Sequence, residues 1–177
     1  MLKVRSGDLD KMGLLFQRYH RPLYGFLFHM TRDREASEDL MQNVFYRMLR
    51  SRHTFTGEGE FRTWMYHLAR NVLKDHWKQA RRRGNHHEIA EYEERIPSGW
   101  TADEQIERKL ELKALEKALD LLSPESREVL VLSRYQELKY AEIAHVLEIS
   151  EGAVKVRVHR AMSQLKEIYR QSETQNK

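Results

Sequence analysis

The chain contains no cysteine and only three prolines among its 177 residues. Without cysteine there can be no internal disulfide framework, no thiolate zinc site and no thiol-based redox switch. No stretch approaches the roughly 18 consecutive apolar residues that a membrane-spanning helix needs, and the N-terminus lacks the apolar core of a signal peptide. The sequence therefore predicts a cytoplasmic protein that is not inserted in a membrane.

Patterns typical of β-strands are also lacking, because no run of β-branched residues alternates with polar residues. Apolar residues instead recur at helical spacing along nearly the whole chain, and 40% of the residues are hydrophobic, which is ample for a folded core. The stripe over residues 9–30 includes Pro22, which should either bend one helix or separate two short ones. Asp33 can cap a helix over 34–51, and another helix is predicted over 61–83. The predicted fold class is all-α.

The composition changes in the middle of the chain. Residues 84–100 lose helical periodicity and gather glycine and proline, which is typical of a linker. Helical spacing returns after this stretch. We therefore predict two small helical domains, 1–83 and 104–177, joined by a flexible linker over 84–103.

Two helix-start signals follow the linker. Thr101 and Glu104 have the spacing of a capping box, in which each side chain satisfies a free backbone donor. Ser123 followed by Pro124 marks a second start, because proline at the first helical position gives up a donor that had no partner. The sequence predicts a helix from each point, and the second should reach Tyr135.

The net charge of +4 is distributed unevenly. Residues 1–83 carry 17 Lys and Arg against 9 Asp and Glu (+8), residues 84–122 carry 5 against 10 (−5), and residues 123–177 carry 9 against 8 (+1). The excess of basic residues in the first domain could reflect a solvated surface, and charge alone leaves this alternative open. The uneven distribution favours contact of the first domain with a polyanion, from which the acidic middle stays away.

Residues 140–165 have the spacing of a helix-turn-helix, although an ordinary helical hairpin with a charged face is an alternative. Ile143 and Leu147 lie on the inner face of a first helix, and Ser150 can cap a second helix whose start enters the major groove in this motif. Glu148 takes the turn position that needs a left-handed backbone, where glycine is usual and another residue costs on the order of 1 kcal/mol. Cations can meet guanine acceptors and phosphates, so DNA contacts are predicted at Glu151, Lys155, Arg157, His159 and Arg160.

The helix predicted from Phe61 carries cations, amides and an aromatic on its polar face, which suits a nucleic-acid groove. Trp64 is predicted to be core, whereas Trp77 either stacks on an unpaired base or packs inside. The glycine-bearing loop over 55–60 could form the rim of a pocket for a base turned out of the stack. The alternative is that the arginine run only ends a helix. The candidate nucleic-acid contacts of this domain are Phe55, Arg62, Arg70, Asn71, Asp75, Lys78, Arg81 and Arg82.

The preceding helix has a mixed outer face of charged and amide side chains. Such a face suits either solvent or a protein partner, and both interpretations stay open on physical grounds. Its outer residues are Asp39, Gln42, Asn43, Arg47 and Arg50.

Three segments together resemble a bacterial RNA polymerase sigma factor of the extracytoplasmic-function type. "EDLMQNVFYRMLR" resembles the helix of conserved region 2.2, and "FRTWMYHLARNVLKDHWKQARRR" resembles regions 2.3 and 2.4. "LSPESREVLVLSRYQELKYAEIAHVLEISEGAVKVRVHRAMSQL" resembles region 4. The segments follow the family's order over nearly the whole chain, with a short linker where larger sigma factors carry another domain. The chain departs from the family at Glu148, where glycine is usual, and at Val156, where a small polar residue is frequent.

The resemblance implies a transcription initiation factor that is not an enzyme and needs no cofactor. Such a protein binds core RNA polymerase, directs it to promoters and helps to open the DNA. The upstream part of region 4 would contact the beta flap, and an anti-sigma factor is implied as a regulator. The region 2.2-like helix would dock on the clamp helices of the beta-prime subunit through Asp39, Gln42, Asn43 and Arg47.

The resemblance also assigns the two DNA-directed surfaces to promoter elements. The loop over 55–60 and the following helix would recognise the minus-10 element, with the loop enclosing a flipped base of the non-template strand. Capture of that base traps a transient opening of the duplex, so that binding energy is converted into melting without ATP. The second helix of the helix-turn-helix would enter the major groove of the minus-35 element.

Two other classes of protein compete with this interpretation. A stand-alone helix-turn-helix regulator would bind a duplex site by itself, whereas a sigma factor should bind promoter DNA poorly without polymerase. A metal-dependent hydrolase could use some of the nine histidines, but no H-E-x-x-H motif, glycine-rich phosphate loop or cysteine ligand supports it. The sequence therefore favours the initiation factor.

Overall fold

The computed structural model describes residues 1–83 and 102–175. The described part is helical and contains no strand, which confirms the predicted all-α class. A 3-10 turn, Arg52–Thr54, follows α3, and a π-helical turn, Val131–Tyr135, follows α6. The helices are α1 (Leu2–Arg5), α2 (Lys11–Thr31), α3 (Arg34–Arg50), α4 (Phe61–Arg83), α5 (Ala102–Asp120), α6 (Pro124–Leu130), α7 (Tyr140–Leu147) and α8 (Glu151–Gln175).

Helix α2 continues without interruption through Pro22. Proline lacks the N–H that an interior helix position donates, but Leu23, Phe26 and Leu27 behind it are fully buried. Their packing holds the segment helical, so the alternative of two separate short helices is wrong. The helix ends at Thr31, and the next residue, Arg32, has a left-handed backbone with φ 55°.

Helices α2, α3 and α4 pack around one apolar centre. Asp33 caps α3 as predicted, because its carboxylate accepts a hydrogen bond from the Ala36 N–H at 3.0 Å. The rings of Phe26 and Tyr66 meet edge to face in this centre, with centroids 5.3 Å apart. The other buried side chains of these helices include Leu23, Leu27, Leu40, Val44, Met48, Met65, Ala69, Val72 and Leu73.

Helices α5 to α8 form a second packed group. Ser123 caps α6 as predicted, since its Oγ accepts a hydrogen bond from the Ser126 N–H at 3.2 Å. The capping box predicted at Thr101 and Glu104 lies partly outside the described residues, which resume at Ala102. The long helix α8 packs against α5, α6 and α7. Buried side chains of this group include Leu119, Leu130, Ile143, Val146, Val154, Val158 and Ala161.

The two groups of helices share one continuous apolar core. Helix α4 packs along α7, and α2 packs against α6 and the π-helical turn. The linker predicted over 84–103 lies almost wholly outside the described residues, so the division into domains stays a prediction. Within the described ranges, no helix is long and apolar enough to span a membrane.

Candidate nucleic-acid interface

Helices α7 and α8 form the helix-turn-helix that the sequence predicts over 140–165. Ser150 caps α8, because its Oγ accepts a hydrogen bond from the Ala153 N–H at 3.2 Å. The cap fixes the start of α8, the end that enters the major groove in this motif. The buried side chains on the inner faces of the two helices include Ile143, Leu147, Val154 and Val158.

Replacing Ser150 with alanine should lower the free energy of unfolding by about 1 kcal/mol, because the first turn of α8 loses a hydrogen-bond acceptor. Urea denaturation followed by circular dichroism measures the change. Ser163→Ala is the matched control, since Ser163 is exposed on the same helix and its hydroxyl only donates back to the His159 carbonyl, at 3.1 Å. Equal losses in the two variants would contradict the capping role.

Glu148 lies in the turn between the two helices with a left-handed backbone, φ 59° and ψ 43°, as the sequence predicts. The side chain of Glu148 reaches α4, where its Oε1 lies 3.2 Å from His67 Nε2. This hydrogen bond lowers the pKa of the Glu148 carboxyl. The glutamate therefore has a partner on another helix that the glycine usual at this position could not contact.

The outer face of α8 combines cations with one apolar side chain. Val154 and Val158 face the core. Because each residue of an α-helix is rotated by about 100° from the one before it, Val156 points almost directly away from these two side chains. Val156 is 48% exposed, and Gly152, one turn earlier, has open space beside it. The predicted DNA contacts on this helix all occupy exposed positions, namely Glu151, Lys155, Arg157, His159 and Arg160.

The C-terminal part of α4 carries an open basic groove with an aromatic side chain in its wall. Cations beside an aromatic ring can hold phosphates while a base stacks on the ring. Trp77 lines the groove and also packs against the apolar core, so its packing is confirmed, while its stacking on an unpaired base stays a prediction. Trp64 packs against the same core, as expected. The groove is lined by Lys74, Trp77, Lys78, Arg81 and Arg82.

A different face of α4 is turned toward the helix-turn-helix. Arg62 donates a hydrogen bond to the main-chain carbonyl of Gln136, and the Tyr66 hydroxyl pairs with the Gln136 side-chain oxygen. The Thr63 hydroxyl lies 3.4 Å from a carboxylate oxygen of Glu142. Tyr66 is fully buried, and this burial raises its pKa well above the usual range. Arg62, a predicted nucleic-acid contact, is thus engaged with the chain's own second half.

One turn further along this face, the Arg70 guanidinium binds a buried carboxylate. Arg70 Nε donates to Glu128 Oε1 at 3.0 Å, and Glu128 is only 8% exposed. Burial raises the pKa of the Glu128 carboxyl although the adjacent guanidinium favours its charged form. The next predicted contact, Asn71, is half-buried.

Two further arginines join the halves at a second place. The Arg32 side chain is 6% exposed and donates to the carboxylates of Glu116 and Asp120 on α5. Arg127 of α6 donates to the main-chain carbonyl of Asp120 at 2.6 Å and to that of His29 at 3.4 Å. The sequence did not predict these contacts, because no motif surrounds either arginine and their partners lie on other helices.

The loop over 55–60 is held in place by aromatic packing and by α1. Phe55 is 7% exposed, and its ring centroid lies 6.0 Å from that of Phe61 and 5.4 Å from that of Trp64. Arg5 donates to the main-chain carbonyls of Phe55 and Thr56, at 3.1 Å each. Phe55 therefore anchors the loop while the remainder is exposed. No sequence motif predicted this role of Arg5.

The outer face of α3 exposes Asp39, Gln42 and Asn43, whereas Arg47 is half-buried. Arg47 Nη2 donates to Asp75 Oδ2 at 2.8 Å, and Arg47 Nε donates to Asn43 Oδ1 at 3.1 Å. A salt bridge thus connects the face predicted for polymerase with a residue predicted to contact DNA.

These features define an all-helical DNA-binding protein with two separate cationic surfaces. One is the outer face of the capped helix α8, and the other is α4 beside an aromatic-anchored loop. Among the residues that the structure describes, no three metal-ligating side chains come together.

Known proteins identify the class more closely. Residues 15–83 match Sigma-70 region 2, and residues 112–165 match Sigma-70, region 4. The chain is 32% identical over 165 residues to the ECF RNA polymerase sigma factor SigX of Bacillus subtilis (strain 168), an alignment that spans 86% of this chain and 80% of that protein. It is 30% identical over 168 residues to the RNA polymerase sigma factor CarQ of Myxococcus xanthus, and this alignment spans 95% of this chain and 94% of that protein. The chain belongs to the ECF sigma factor family.

Solved structures share the fold. The sigma factor RpoE, co-crystallised with the anti-sigma factor NepR from Bartonella quintana, matches 89% of this chain and 96% of its own with a TM-score of 0.73 at 20% identity. CnrH, solved in complex with the cytosolic domain of CnrY, matches 94% of this chain and 92% of its own with a TM-score of 0.71 at 22% identity. At these identities the likeness concerns the fold.

Membership of this family makes the protein a transcription initiation factor that directs RNA polymerase to promoters. Sigma factors are regulatory initiation factors rather than catalysts. Because the chain matches region 2 as well as region 4, the alternative interpretation as a stand-alone helix-turn-helix regulator is not favoured.

Proposed function

We propose that the chain contacts a promoter at two places, with α8 in the minus-35 element and with α4 and the loop over 55–60 at the minus-10 element. The observation that carries this proposal is the presence of two exposed cationic surfaces on two helices of one chain. We assign the minus-35 contacts to Glu151, Lys155, Arg157, His159 and Arg160. We assign the minus-10 contacts to Phe55, Arg62, Arg70, Asn71, Asp75, Lys78, Arg81 and Arg82.

Each surface has a chemistry that fits its element. In the major groove, lysine and arginine meet the acceptors of guanine, a carboxylate such as Glu151 can accept from the cytosine amino group, and other cations hold phosphates. At the minus-10 element, Lys78, Arg81 and Arg82 would hold the phosphates of the melted strand. The flipped base would lie against the exposed part of the loop that Phe55 anchors.

The protein partners follow from the remaining surfaces. We assign docking on the beta-prime clamp helices to the outer face of α3, with the beta flap contacting the region 4 part. Relatives of this fold were solved with the anti-sigma factor NepR and with CnrY, which supports an anti-sigma factor as regulator here. We place the protein in the cytoplasm, where RNA polymerase and the chromosome are. The α3 residues proposed for docking are Asp39, Gln42, Asn43 and Arg47.

Run-off transcription with core polymerase and a library of promoters, read by sequencing, tests this function. We expect start sites that share a minus-10 and a minus-35 sequence, and only weak binding of the free protein to the same DNA in a gel shift. A stand-alone regulator would bind its site equally well without polymerase. The absence of any start site would overturn the proposed function.

Val156 provides a test of the minus-35 assignment. An apolar side chain in the major groove recognises the methyl group of thymine. Replacing Val156 with serine should therefore weaken a preference for thymine at one minus-35 position by about fivefold, which corresponds to the loss of about 1 kcal/mol of discrimination. The same promoter library measures the preference, and Ser163→Ala, further along α8, should leave it unchanged. Unaltered preferences at every minus-35 position in Val156→Ser would contradict the placement of the Val156 face of α8 in the major groove.

A further inference from the structure

Helix α1 lies beside the loop over 55–60 and precedes the part of the chain that matches region 2. That match begins at residue 15, whereas α1 covers Leu2–Arg5. The Val4 side chain is completely buried, and α1 contacts both α2 and the 3-10 turn that leads into the loop. The short helix is therefore anchored to the fold at the point where the loop begins.

Arg5 binds the start of this loop through two main-chain oxygens. Its Nη1 atom donates to the carbonyls of Phe55 and Thr56, at 3.1 Å each. Carbonyl groups in a loop have no partner in a regular helix or strand, so a side-chain donor can determine how they are oriented. Because rotation of either peptide plane would break one of the two hydrogen bonds, the guanidinium fixes the direction in which the chain enters the loop.

Leu2 packs against the next residue of the loop. Gly57 has a backbone with φ 90°, which residues with a side chain rarely adopt. A Cβ atom added to Gly57 would lie 2.9 Å from Leu2 Cδ2, which is closer than two carbon atoms approach without repulsion. The absence of a side chain at position 57 therefore lets α1 and the loop approach each other closely.

The second part of the loop is accessible. Glu58, Gly59 and Glu60 are exposed, and Gly59 has open space beside it. This is the part against which the flipped base is proposed to lie. Helix α1 thus holds one side of the loop and leaves open the side that a base can reach.

We propose that α1 holds the loop over 55–60 in the conformation that receives the flipped base, with Arg5 and Leu2 as positioning residues. The inference rests on the proposed function, because it requires the loop to enclose a base. A short loop with two glycines of positive φ samples many conformations when nothing holds it, and fixing one of them costs entropy. Contacts with α1 order the loop before DNA arrives, so the binding energy of the base is not spent on that ordering.

This role affects capture of the base rather than affinity for DNA in general. Loss of the Arg5 hydrogen bonds should leave the phosphate and duplex contacts of α4 and α8 unchanged and weaken only the contribution of the flipped base. A merely structural role of Arg5 would instead weaken binding to every DNA by the same factor. The two roles are therefore distinguished by comparing the same promoter with and without that base.

Binding of a premelted promoter by the complex of the protein with core polymerase tests this distinction. The DNA is a promoter selected in the run-off library, with a bubble over the minus-10 element. Single abasic sites along its non-template strand locate the base on which wild-type binding depends most. Fluorescence anisotropy should show that this abasic site weakens wild-type binding by about tenfold or more, as expected for the loss of one stacked base.

The same abasic site should weaken binding of the Arg5→Ala variant by no more than about threefold, because its loop no longer holds the base in place. On the abasic DNA the variant and the wild type should bind equally, within about twofold. An equal dependence on the base in the two proteins would overturn the proposal. Lys3→Ala is the matched control, since Lys3 is an exposed cation on the same helix, and it should depend on the base as the wild type does.

A second variant tests the contact between α1 and Gly57. Leu2→Gln should reduce the dependence on the base as Arg5→Ala does, because a polar side chain loses the apolar packing over the glycine. Leu9→Gln is its control, since Leu9 is exposed to a similar extent, 49% against 52% for Leu2. An equal reduction in Leu2→Gln and Leu9→Gln would contradict the proposal, because it would reflect a general effect of polar substitutions near the N-terminus.

Limited proteolysis of the free protein follows the loop without polymerase or DNA. A glutamate-specific protease can cleave after Glu58 and Glu60, which are exposed. Cleavage at these sites, identified by mass spectrometry, should be faster in Arg5→Ala by about fivefold or more and unchanged in Lys3→Ala, because a loop that opens more often is cut more readily.

The two experiments separate failure of this inference from failure of the proposed function. Unchanged cleavage in Arg5→Ala would overturn the role of α1 but not the proposed function. If no abasic site weakens wild-type binding, enclosure of a flipped base by the loop is refuted, and the role of α1 in capturing that base is refuted with it.

Discussion

Replacing Arg32 with alanine is expected to lower the free energy of unfolding by about 3–5 kcal/mol, the largest single effect that the structure predicts. The Arg32 guanidinium is almost completely buried and binds the carboxylates of Glu116 and Asp120 on α5. Removal of the cation leaves two poorly solvated carboxylates beside each other, with Arg127, 3.8 Å from Asp120, as a more distant counter-charge. The loss should therefore exceed that of a surface salt bridge, which is about 0–1 kcal/mol.

Urea denaturation followed by circular dichroism measures the effect. Since Arg32 connects α2 with α5, the variant should also unfold less cooperatively, with a shallower dependence on urea because the two halves no longer unfold together. Arg18→Ala is the control, since Arg18 is exposed on the same helix, and it should lower the stability by less than about 0.5 kcal/mol. A loss in Arg32→Ala no greater than in this control would contradict the structural role.

Acidification from pH 7 to pH 5 is expected to lower the stability of the folded chain through His29. The imidazole is buried at the junction of the two halves, and burial, together with the nearby Arg32 and Arg127 guanidiniums, lowers its pKa from 6.5 to about 3. The Glu116 carboxylate lies 3.8 Å from its Nδ1 and favours the charged form. This carboxylate is already bound to Arg32, so burial and the two cations outweigh it. The Tyr135 ring of the π-helical turn also lies beside the imidazole of His29, with the two ring centroids 4.4 Å apart.

The direction of the effect follows from proton uptake. Below pH 6.5 the unfolded chain protonates His29, whereas the folded chain keeps this side chain neutral down to about pH 3. The unfolded state thus binds more protons in this interval, and stability falls as the pH drops. Between pH 7 and pH 5 the loss should be about 2 kcal/mol.

Glu128 acts in the opposite direction over part of this interval. Burial raises its pKa, so the folded state takes up this proton before the unfolded state does, and the uptake adds stability as the pH falls toward 4.5. Urea denaturation of His29→Gln at pH 7 and pH 5, compared with the wild type, separates the two groups because Glu128 is present in both proteins. The variant should lose less stability on acidification, and the exposed His53→Gln should behave like the wild type. A steeper or unchanged pH dependence in His29→Gln would refute the assignment to His29.

Local features of this fold could be predicted because they depend on residues a few positions apart. Asp33, Ser123 and Ser150 cap their helices as predicted, since a cap joins a side chain to a backbone N–H three residues later. The left-handed turn at Glu148 also follows from the local spacing of the helix-turn-helix. Pro22 shows the limit of such rules, because tertiary burial of the residues after it holds α2 in one helix.

The roles proposed for individual DNA and polymerase contacts remain predictions, but the structure separates them into two environments. Lys78, Arg81 and Arg82 are exposed along the groove, whereas Arg62 and Arg70 are half-buried against the second half. Helical periodicity cannot distinguish these environments, because a charged side chain in a polar stripe is compatible either with solvent or with a partner helix.

By itself, the sequence determined the all-helical class, the helix caps, the helix-turn-helix and, through its resemblance to known sigma factors, the family and its role at promoters. These conclusions depend on residue types at short spacing or on whole segments in a fixed order. Only the tertiary structure decided that Arg70 faces Glu128, that Arg32 faces Glu116, and that one face of α4 is covered by the second half. These partners lie 58 and 84 residues apart in the chain. Contacts between such distant residues depend on how the helices pack, which no local pattern specifies.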